Sequence, residues 1–504
     1  VVLLVLAVAA VSLALRLSVA VVLDTFQDEA LYWWQGREAG VTFTPQPPVV
    51  PLAVWAASGV LGGGTGSVRL LSLLAGTATI LLAWLLGRDL YGRRVGLLAA
   101  VLAACCPLLV LVGSVATPEA PVVAVWLLMV WCVWRALQSG AVRWWLASGA
   151  VAALGLYTKY MAVLALPCGV AALLAVPEGR RQLKTAGPWL AIGVCGFLFA
   201  PPFLLWNRAN GWPTFRYHLG ARHEWTFDPS VLAQYVGGRA GAYSPLLWGA
   251  VLVSLVALWR RWRHGDSRAA LILAFGAGPI LFFLVPSVFT EQELVRVHWD
   301  LIGYATALVG LASVLAERPR LLRWTVGVAA AFSLTLTTVS LWPGLSVKAG
   351  SRPPTSKMLG WRELTARVED ELRQWSAADP IVVAESFSTA LCIAYHRGHQ
   401  RDIYTLNHRR NRRYGLRGQL RGWGINEWHM RRNHPGGNAL YVHELRSLDP
   451  ADVDEETWRI ATLFAEVERL EPFDVVCGGK VVKRFALFRC TGCRGLWGGS
   501  VAGE

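Results

Sequence analysis

Two carboxylates stand side by side at Asp28 and Glu29, within Asp24-Thr25-Phe26-Gln27-Asp28-Glu29-Ala30-Leu31-Tyr32-Trp33-Trp34. They follow an apolar run over residues 1–23 and precede the turn Thr44-Pro45-Gln46-Pro47-Pro48. Neither solubility nor packing asks for an acidic pair at that place. Carboxylates at a membrane boundary are costly to desolvate, so they persist where water reaches them or where chemistry uses them. The chemistry they offer is proton transfer. Asp28 is therefore read as the centre of an active site.

The elements that must position this pair lie in a membrane. Of 504 residues, 54% are hydrophobic and 16% charged. That is too little charge to cover a soluble protein of this size, and it implies a polytopic α-helical membrane protein. The formal net charge of +15 falls in short basic clusters between apolar runs. This is the distribution of cytoplasmic loops under the positive-inside rule, and it argues against nucleic-acid binding. Residues 1–23 lack a basic leader and a small-residue cleavage site, so they read as an uncleaved span. The chain opens on Val, which leaves an alternative start or a trimmed N-terminus open. Cys105, Cys106, Cys132, Cys168 and Cys195 lie in apolar runs and read as core residues. Cys490-x-x-Cys493 has no second pair at zinc-finger spacing, so a disulfide is preferred there over a metal.

A helical span takes about 20 apolar residues, fewer where protein encloses it. The candidates are 1–23, 67–86, 95–113, 120–137, 146–158, 160–176, 187–206, 242–259, 269–289, 299–316 and 324–342. With about 11 spans, the clusters at Arg88/Arg93/Arg94, Arg135/Arg143, Arg180/Arg181/Lys184, Arg260/Arg261/Arg263 and Arg318/Arg320/Arg323 share one side, the cytoplasm. The other side receives the Asp28 loop, residues 117–121, Lys159, the loops 207–239 and 290–298, and everything after Pro343. Residues 146–176 could form one long span. A hairpin with Lys159 at its tip keeps the basic loops together and places the ammonium at the surface.

Composition changes near Trp342, and Ser351-Arg352-Pro353-Pro354 reads as a linker. Beyond it, 361–375 has the pattern of an amphipathic helix, and 381–384, 439–442 and 480–488 that of strands. The expected organisation is a transmembrane domain over 1–342 and an extracytoplasmic α/β domain over 343–504, large enough for a core of its own.

Asp28-Glu29-Ala30-Leu31-Tyr32-Trp33 resembles the first-loop motif of membrane glycosyltransferases with the GT-C fold, in the protein mannosyltransferase/aminoarabinose transferase superfamily (glycosyltransferase family 39). Further elements follow in order. Thr117-Pro118-Glu119-Ala120-Pro121 is similar to that family's Thr-Pro-Asp-Ala-Pro. Gly155-Leu156-Tyr157-Thr158-Lys159-Tyr160 resembles its Gly-Leu-x-x-Lys-Tyr. Leu205-Trp206-Asn207 with Gly211-Trp212, Phe215, Leu219 and Arg222 resembles its fourth loop, and His298-Trp299 its late loop. The likeness covers 1–342 well and the remainder weakly. Two positions depart from it: Gln46-Pro47-Pro48 replaces a basic residue before the prolines, and Glu119 replaces Asp.

The resemblance implies transfer of a sugar from a polyprenyl-phosphate carrier to an acceptor hydroxyl, with inversion, on the outer face of the cell's inner membrane. The acceptor is a lipid, a protein or a glycan, and no metal or further cofactor is implied. Asp28 would be the base, with Glu29 and Glu119 holding the acceptor or raising the pKa of Asp28. Lys159 would meet the departing phosphate, with Arg222 and His298 as second choices. Tyr32, Trp33, Gln46, Pro47 and Tyr160 would line the substrates. Plainer readings compete: helix-dipole acids for Asp28 and Glu29, a snorkelling lysine at 159, and a basic solvated loop around Arg222. Arg16, inside the first span, reads as reaching the interface.

No Gly-rich nucleotide loop or His-Glu-x-x-His element occurs, which agrees with a lipid-linked donor. A flippase for a lipid-linked substrate should show internal repeats or helices broken at the midplane. An inactive envelope protein on the same scaffold is the other rival.

Overall fold

The computed structural model describes residues 1–38, 42–220, 229–285, 297–342, 345, 355–377, 379–445 and 452–496. The chain divides into two compact units. One comprises Val1–Ala20, Val41–Ala53 and Arg69–Thr337; the other gathers Val21–Gly40, Val54–Val68 and Thr338–Glu504.

The first unit is helical, and the described residues of the expected spans lie largely on helices. Among the described residues, six helices are long and apolar enough to cross a membrane: Val2–Val22, Thr65–Tyr91, Glu119–Ser139, Ala186–Ala209, Ser267–Leu284 and Pro319–Leu341. A seventh crossing is available if Ser230–Tyr243 and Pro245–Arg263, bent by 109°, act together. The remaining expected spans are shorter or broken. At 95–113 the helix stops at Cys105 and restarts at Pro107, whose ring removes a backbone donor and clashes with the preceding turn. Leu301–Leu315 has 15 residues, all of them buried. A helix enclosed on every side by protein need not match the bilayer's thickness.

Glu119–Ser139 and Val142–Thr158 form an antiparallel hairpin closed at Gly140, which takes φ 65°. Ala186–Ala209 packs closely on its second arm. A Cβ at Gly149 would lie 2.2 Å from the Ala191 carbonyl oxygen, so only the bare backbone fits there.

Arg16 does not reach the interface. Its guanidinium is buried and donates to the Ser12 and Leu73 carbonyls at 3.1 and 2.9 Å and to Thr77 Oγ1 at 3.1 Å. Gly76 makes the room, since a Cβ there would fall 2.0 Å from Arg16 Nη1.

The second unit holds a six-stranded sheet: β1 Ile381–Ala384, β2 Ile403–Thr405, β3 Ala439–Glu444, β4 Phe464–Arg469, β5 Phe473–Cys477 and β6 Lys480–Cys493. Its order is β2-β1-β3-β6-β4, with β5 also on β6. The pairs β1–β2 and β1–β3 are parallel, and those made by β6 are antiparallel. The helix Phe387–Arg397 connects β1 to β2, as a parallel pair requires. The expected helix spans Trp361–Gln374. Cys490 and Cys493 are free thiols, not the expected disulfide. Both are buried in the same core cluster of the sheet.

Candidate active site

Three of the expected residues meet in the first unit. Glu119 opens the first arm of the 119–158 hairpin, and Lys159 directly follows the second. Antiparallel arms bring these two positions to the same end. Lys159 Nζ forms a buried ion pair with Glu119 Oε1, and His298 Nε2 approaches the same oxygen at 3.3 Å. Lys159 is thus not a surface tip. A charge at a membrane boundary avoids the surface when a carboxylate is at hand to neutralise it. The extended backbone at Lys159 (φ −160°, ψ 133°) ends the helix and turns the side chain inward.

The backbone just beyond His298 is anchored by a contact that its apolar surroundings conceal in the sequence. Two residues on, Asp300 is fully buried and accepts from Arg239 Nε at 2.7 Å and Tyr235 Oη at 2.8 Å. The Arg239 guanidinium also lies 3.2 Å from the centre of the Tyr235 ring. The apolar pattern around 299–316 hid the partner, which is 61 positions away.

Tyr160 joins the first loop to this end of the unit. Its hydroxyl donates to the Phe43 carbonyl, and Thr214 Oγ1 reaches the same oxygen at 3.2 Å. Thr44 and Thr214 share a hydroxyl hydrogen bond of 2.9 Å, and Asn207 Oδ1 accepts from the Thr214 amide at 3.2 Å. Asn207 belongs to the family-like Leu205-Trp206-Asn207 element, whereas nothing in the sequence marks Thr44 or Thr214 for this role. In this loop Pro47 is buried, while Gln46 is half-buried.

The remaining expected residues belong to the second unit. Asp28 is half-buried in the first turn of the helix Gln27–Arg37, and Gln27 Nε2 lies 3.4 Å from its Oδ1. Glu29 is fully buried, and its Oε2 accepts from the Phe26 amide at 2.8 Å, capping its own helix. Tyr32 is buried. Trp33 is buried edge-on against Tyr395, with centroids 5.5 Å apart, and the Arg37 guanidinium covers its ring at 4.5 Å. The face expected to receive a sugar is therefore occupied by protein.

Asp24 is the best-tied residue of this stretch. It accepts from the amides of Trp361 and Arg362 at 2.8 and 3.0 Å, so it caps the helix Trp361–Gln374, and it pairs with His396 Nε2 at 2.9 Å. Arg222 lies outside the described residues, as do 286–296 of the late loop and the linker 351–354.

Over residues 45–206 the chain matches the family model described as Dolichyl-phosphate-mannose-protein mannosyltransferase. That segment includes Gln46, Pro47, Glu119, Lys159 and Tyr160, and stops short of Asp28 and His298. YkcB of Bacillus subtilis (strain 168), named as an inferred mannosyltransferase, is 29% identical over 143 residues. The match takes in 28% of this chain and 20% of that protein, so this chain spans about a fifth of that relative's length. Crystal structures of ArnT from Cupriavidus metallidurans, apo and bound to undecaprenyl phosphate, superpose with TM-scores of 0.67 and 0.65. Each is 14% identical and covers 97% of both chains. The Archaeoglobus fulgidus oligosaccharyltransferase, in complex with Zn and sulfate, gives a TM-score of 0.51 at 13% identity, over 78% of this chain and 61% of that one.

The fold is the GT-C fold of the ArnT structures, and the segment 45–206 is similar to the mannosyltransferase family model. This chain is a multi-pass membrane protein of that fold, with a small sheet in its C-terminal part.

Proposed function

We propose that this protein transfers a sugar from a polyprenyl-phosphate carrier to an acceptor hydroxyl at the extracytoplasmic face of the inner membrane. The observation that carries the reading is the buried Glu119–Lys159 pair with His298 on the same carboxylate oxygen. Two nitrogen donors held by one buried carboxylate form a preorganised seat for phosphate oxygens, which gain negative charge as the sugar leaves. Glu119 orients both donors.

Asp28 supplies the base in this scheme. It takes the acceptor's proton as the acceptor oxygen bonds to the anomeric carbon. The carbon–oxygen bond to the carrier breaks with its electron pair left on the phosphate, and the anomeric centre inverts. Support for Asp28 comes from its motif and from its half-buried place beside Glu29, whose own carboxylate is spent on the helix start. Gln46 and Tyr160 belong to the donor side, where Tyr160 shapes the first loop through Phe43. The bound undecaprenyl phosphate of the ArnT structure agrees with a lipid-linked donor. A transmembrane part over 1–342 and an extracytoplasmic C-terminal part complete the reading.

The test is transfer from polyprenyl-phosphate sugars by the purified protein, alongside the mass of the glycoconjugate lost on deleting the gene. Asp28→Asn should lower transfer about 100- to 10,000-fold, with insertion and melting temperature retained. Unchanged transfer by Asp28→Asn removes the base.

A further inference from the structure

The second unit carries six arginines within residues 409–421 and no acidic residue among them. Two short helices, Arg409–Arg413 and Arg417–Gly422, display them. The floor beneath is fixed by the buried Asn411. Its Oδ1 accepts from the Phe387 amide at 2.9 Å, and its Nδ2 donates to Thr405 Oγ1 at 3.2 Å and the Leu406 carbonyl at 2.9 Å. Above this floor opens a cleft of about 300 Å³, with Asn407, His408, Arg409, Arg412, Arg417 and Asn426 on its walls. That volume is at the small end of ligand sites, which run from about 300 to 1,000 Å³. One carboxylate touches the rim: Glu427 Oε2 accepts from the Asn407 amide at 3.1 Å.

Several other arginines of this unit are paired with carboxylates. Arg397 pairs with Glu369, Arg484 with Asp474, Arg489 with Glu371 and Arg459 with Glu456. Among the described residues, Arg409, Arg412 and Arg417 have no carboxylate in reach, and all three are exposed. Three unneutralised guanidinium forks around one cavity match the planar, multidentate geometry of a phosphate-type oxyanion. The cleft is also linked to Asp28. Arg410 donates to Gln27 Oε1 at 2.6 Å, while Gln27 Nε2 lies 3.2 Å from Tyr414 Oη and 3.4 Å from Asp28 Oδ1.

We infer that this cleft binds an oxyanion carried by the acceptor, a phosphate or phosphodiester, and so sets the acceptor hydroxyl near Asp28. The inference rests on the transferase reading for its purpose, though not for its chemistry. It assigns the acceptor to anionic glycoconjugates, with the charge on either a soluble glycan or a lipid headgroup.

The experiment titrates inorganic phosphate onto the full-length protein in phosphatidylcholine nanodiscs, with no sugar donor present. Saturable binding should weaken at least tenfold in Arg409→Gln/Arg412→Gln/Arg417→Gln. It should stay within twofold in Arg373→Gln/Arg401→Gln/Arg432→Gln, which removes equal charge away from the cleft. Equal melting temperatures verify that both variants fold. In nanodiscs containing phosphatidylglycerol, a severalfold weaker phosphate affinity assigns the oxyanion to a lipid headgroup, and an unchanged one assigns it to a soluble glycan. Absence of saturable binding, or equal loss in the two triple variants, overturns the inference. A protein that binds phosphate but never transfers sugar sinks the transferase reading alone. One that transfers sugar without binding phosphate sinks this inference alone.

Discussion

Glu119 and Lys159 stand 40 positions apart and close a buried ion pair across the open end of a helical hairpin. Removing one partner of such a pair strands the other charge, whereas replacing both removes the problem. Lys159→Met should therefore destabilise by about 3–5 kcal/mol and abolish transfer. Lys159→Met/Glu119→Gln should regain most of the stability and none of the activity. Melting in detergent with a parallel transfer assay separates the two. Activity in the double variant would take Lys159 out of the phosphate seat.

Asp24 makes the stability of the second unit depend on pH. Burial pushes its pKa up, but the hydrogen bond and charge of His396, with the amides of Arg362 and Thr25, hold it below the ordinary value. A carboxylate whose folded pKa is depressed stabilises fully above its unfolded value, about 3.9, and loses that contribution as pH falls through the folded one. Asp24→Asn should cost about 1–3 kcal/mol at pH 7, and the difference from the parent should shrink below about pH 4. Hydrogen exchange at the Trp361 and Arg362 amides reports it. A difference that stays constant down to pH 2 would show that Asp24's charge plays no part.

The first loop is pinned by hydroxyls. Thr214→Val leaves Thr44 Oγ1 without this bond, at a cost of about 1–3 kcal/mol for a buried group. Tyr160→Phe removes the second bond to the Phe43 carbonyl. Both variants should raise KM for the lipid donor more than they lower kcat, since they loosen a binding surface and leave the reacting groups alone. A selective fall in kcat would place the loop in the chemistry instead.

Packing inside the first unit has a sharper test. Gly149→Ala drives a methyl into the Ala191 backbone and should cost about 1–3 kcal/mol. Gly193→Ala, on the neighbouring helix and with nothing within 4 Å, should be close to neutral. Yields of monodisperse protein and melting temperatures compare them.

Much of this was legible in the residues. Apolar runs located the six long apolar helices but not the shorter Val49–Leu61, and Tyr160, beside Lys159, reaches the first loop at Phe43. Span lengths were not legible, because hydropathy reports composition and not enclosure. Leu301–Leu315 needs only 15 residues since protein, and not lipid, surrounds it. Lys159 was read as a surface tip because an unpaired charge must avoid lipid, and its partner is remote in sequence. For Glu29 the competing expectation, an acid at a helix start, describes what its side chain does. Trp33 had no visible partner, as Tyr395 is 362 positions on. In the sheet, β1, β3 and β6 carried apolar runs. The edge strand β4, with Glu466, Glu468 and Arg469 exposed, and the three-residue β2 carried none.

The span from Asp24 to its partners at Trp361 and Arg362 has a consequence for biosynthesis. The chain grows from its N-terminus, so Asp24 is inserted more than 300 residues before the Trp361 and Arg362 amides that donate to it are made. Trp33 waits longer still for Tyr395. The helix bearing Asp28 thus cannot complete its packing before residue 395 is made. A chain stalled or clipped before residue 395 would keep its hydrophobic helices yet leave Trp33 without the ring it packs against in the finished fold, a surface for quality control to recognise.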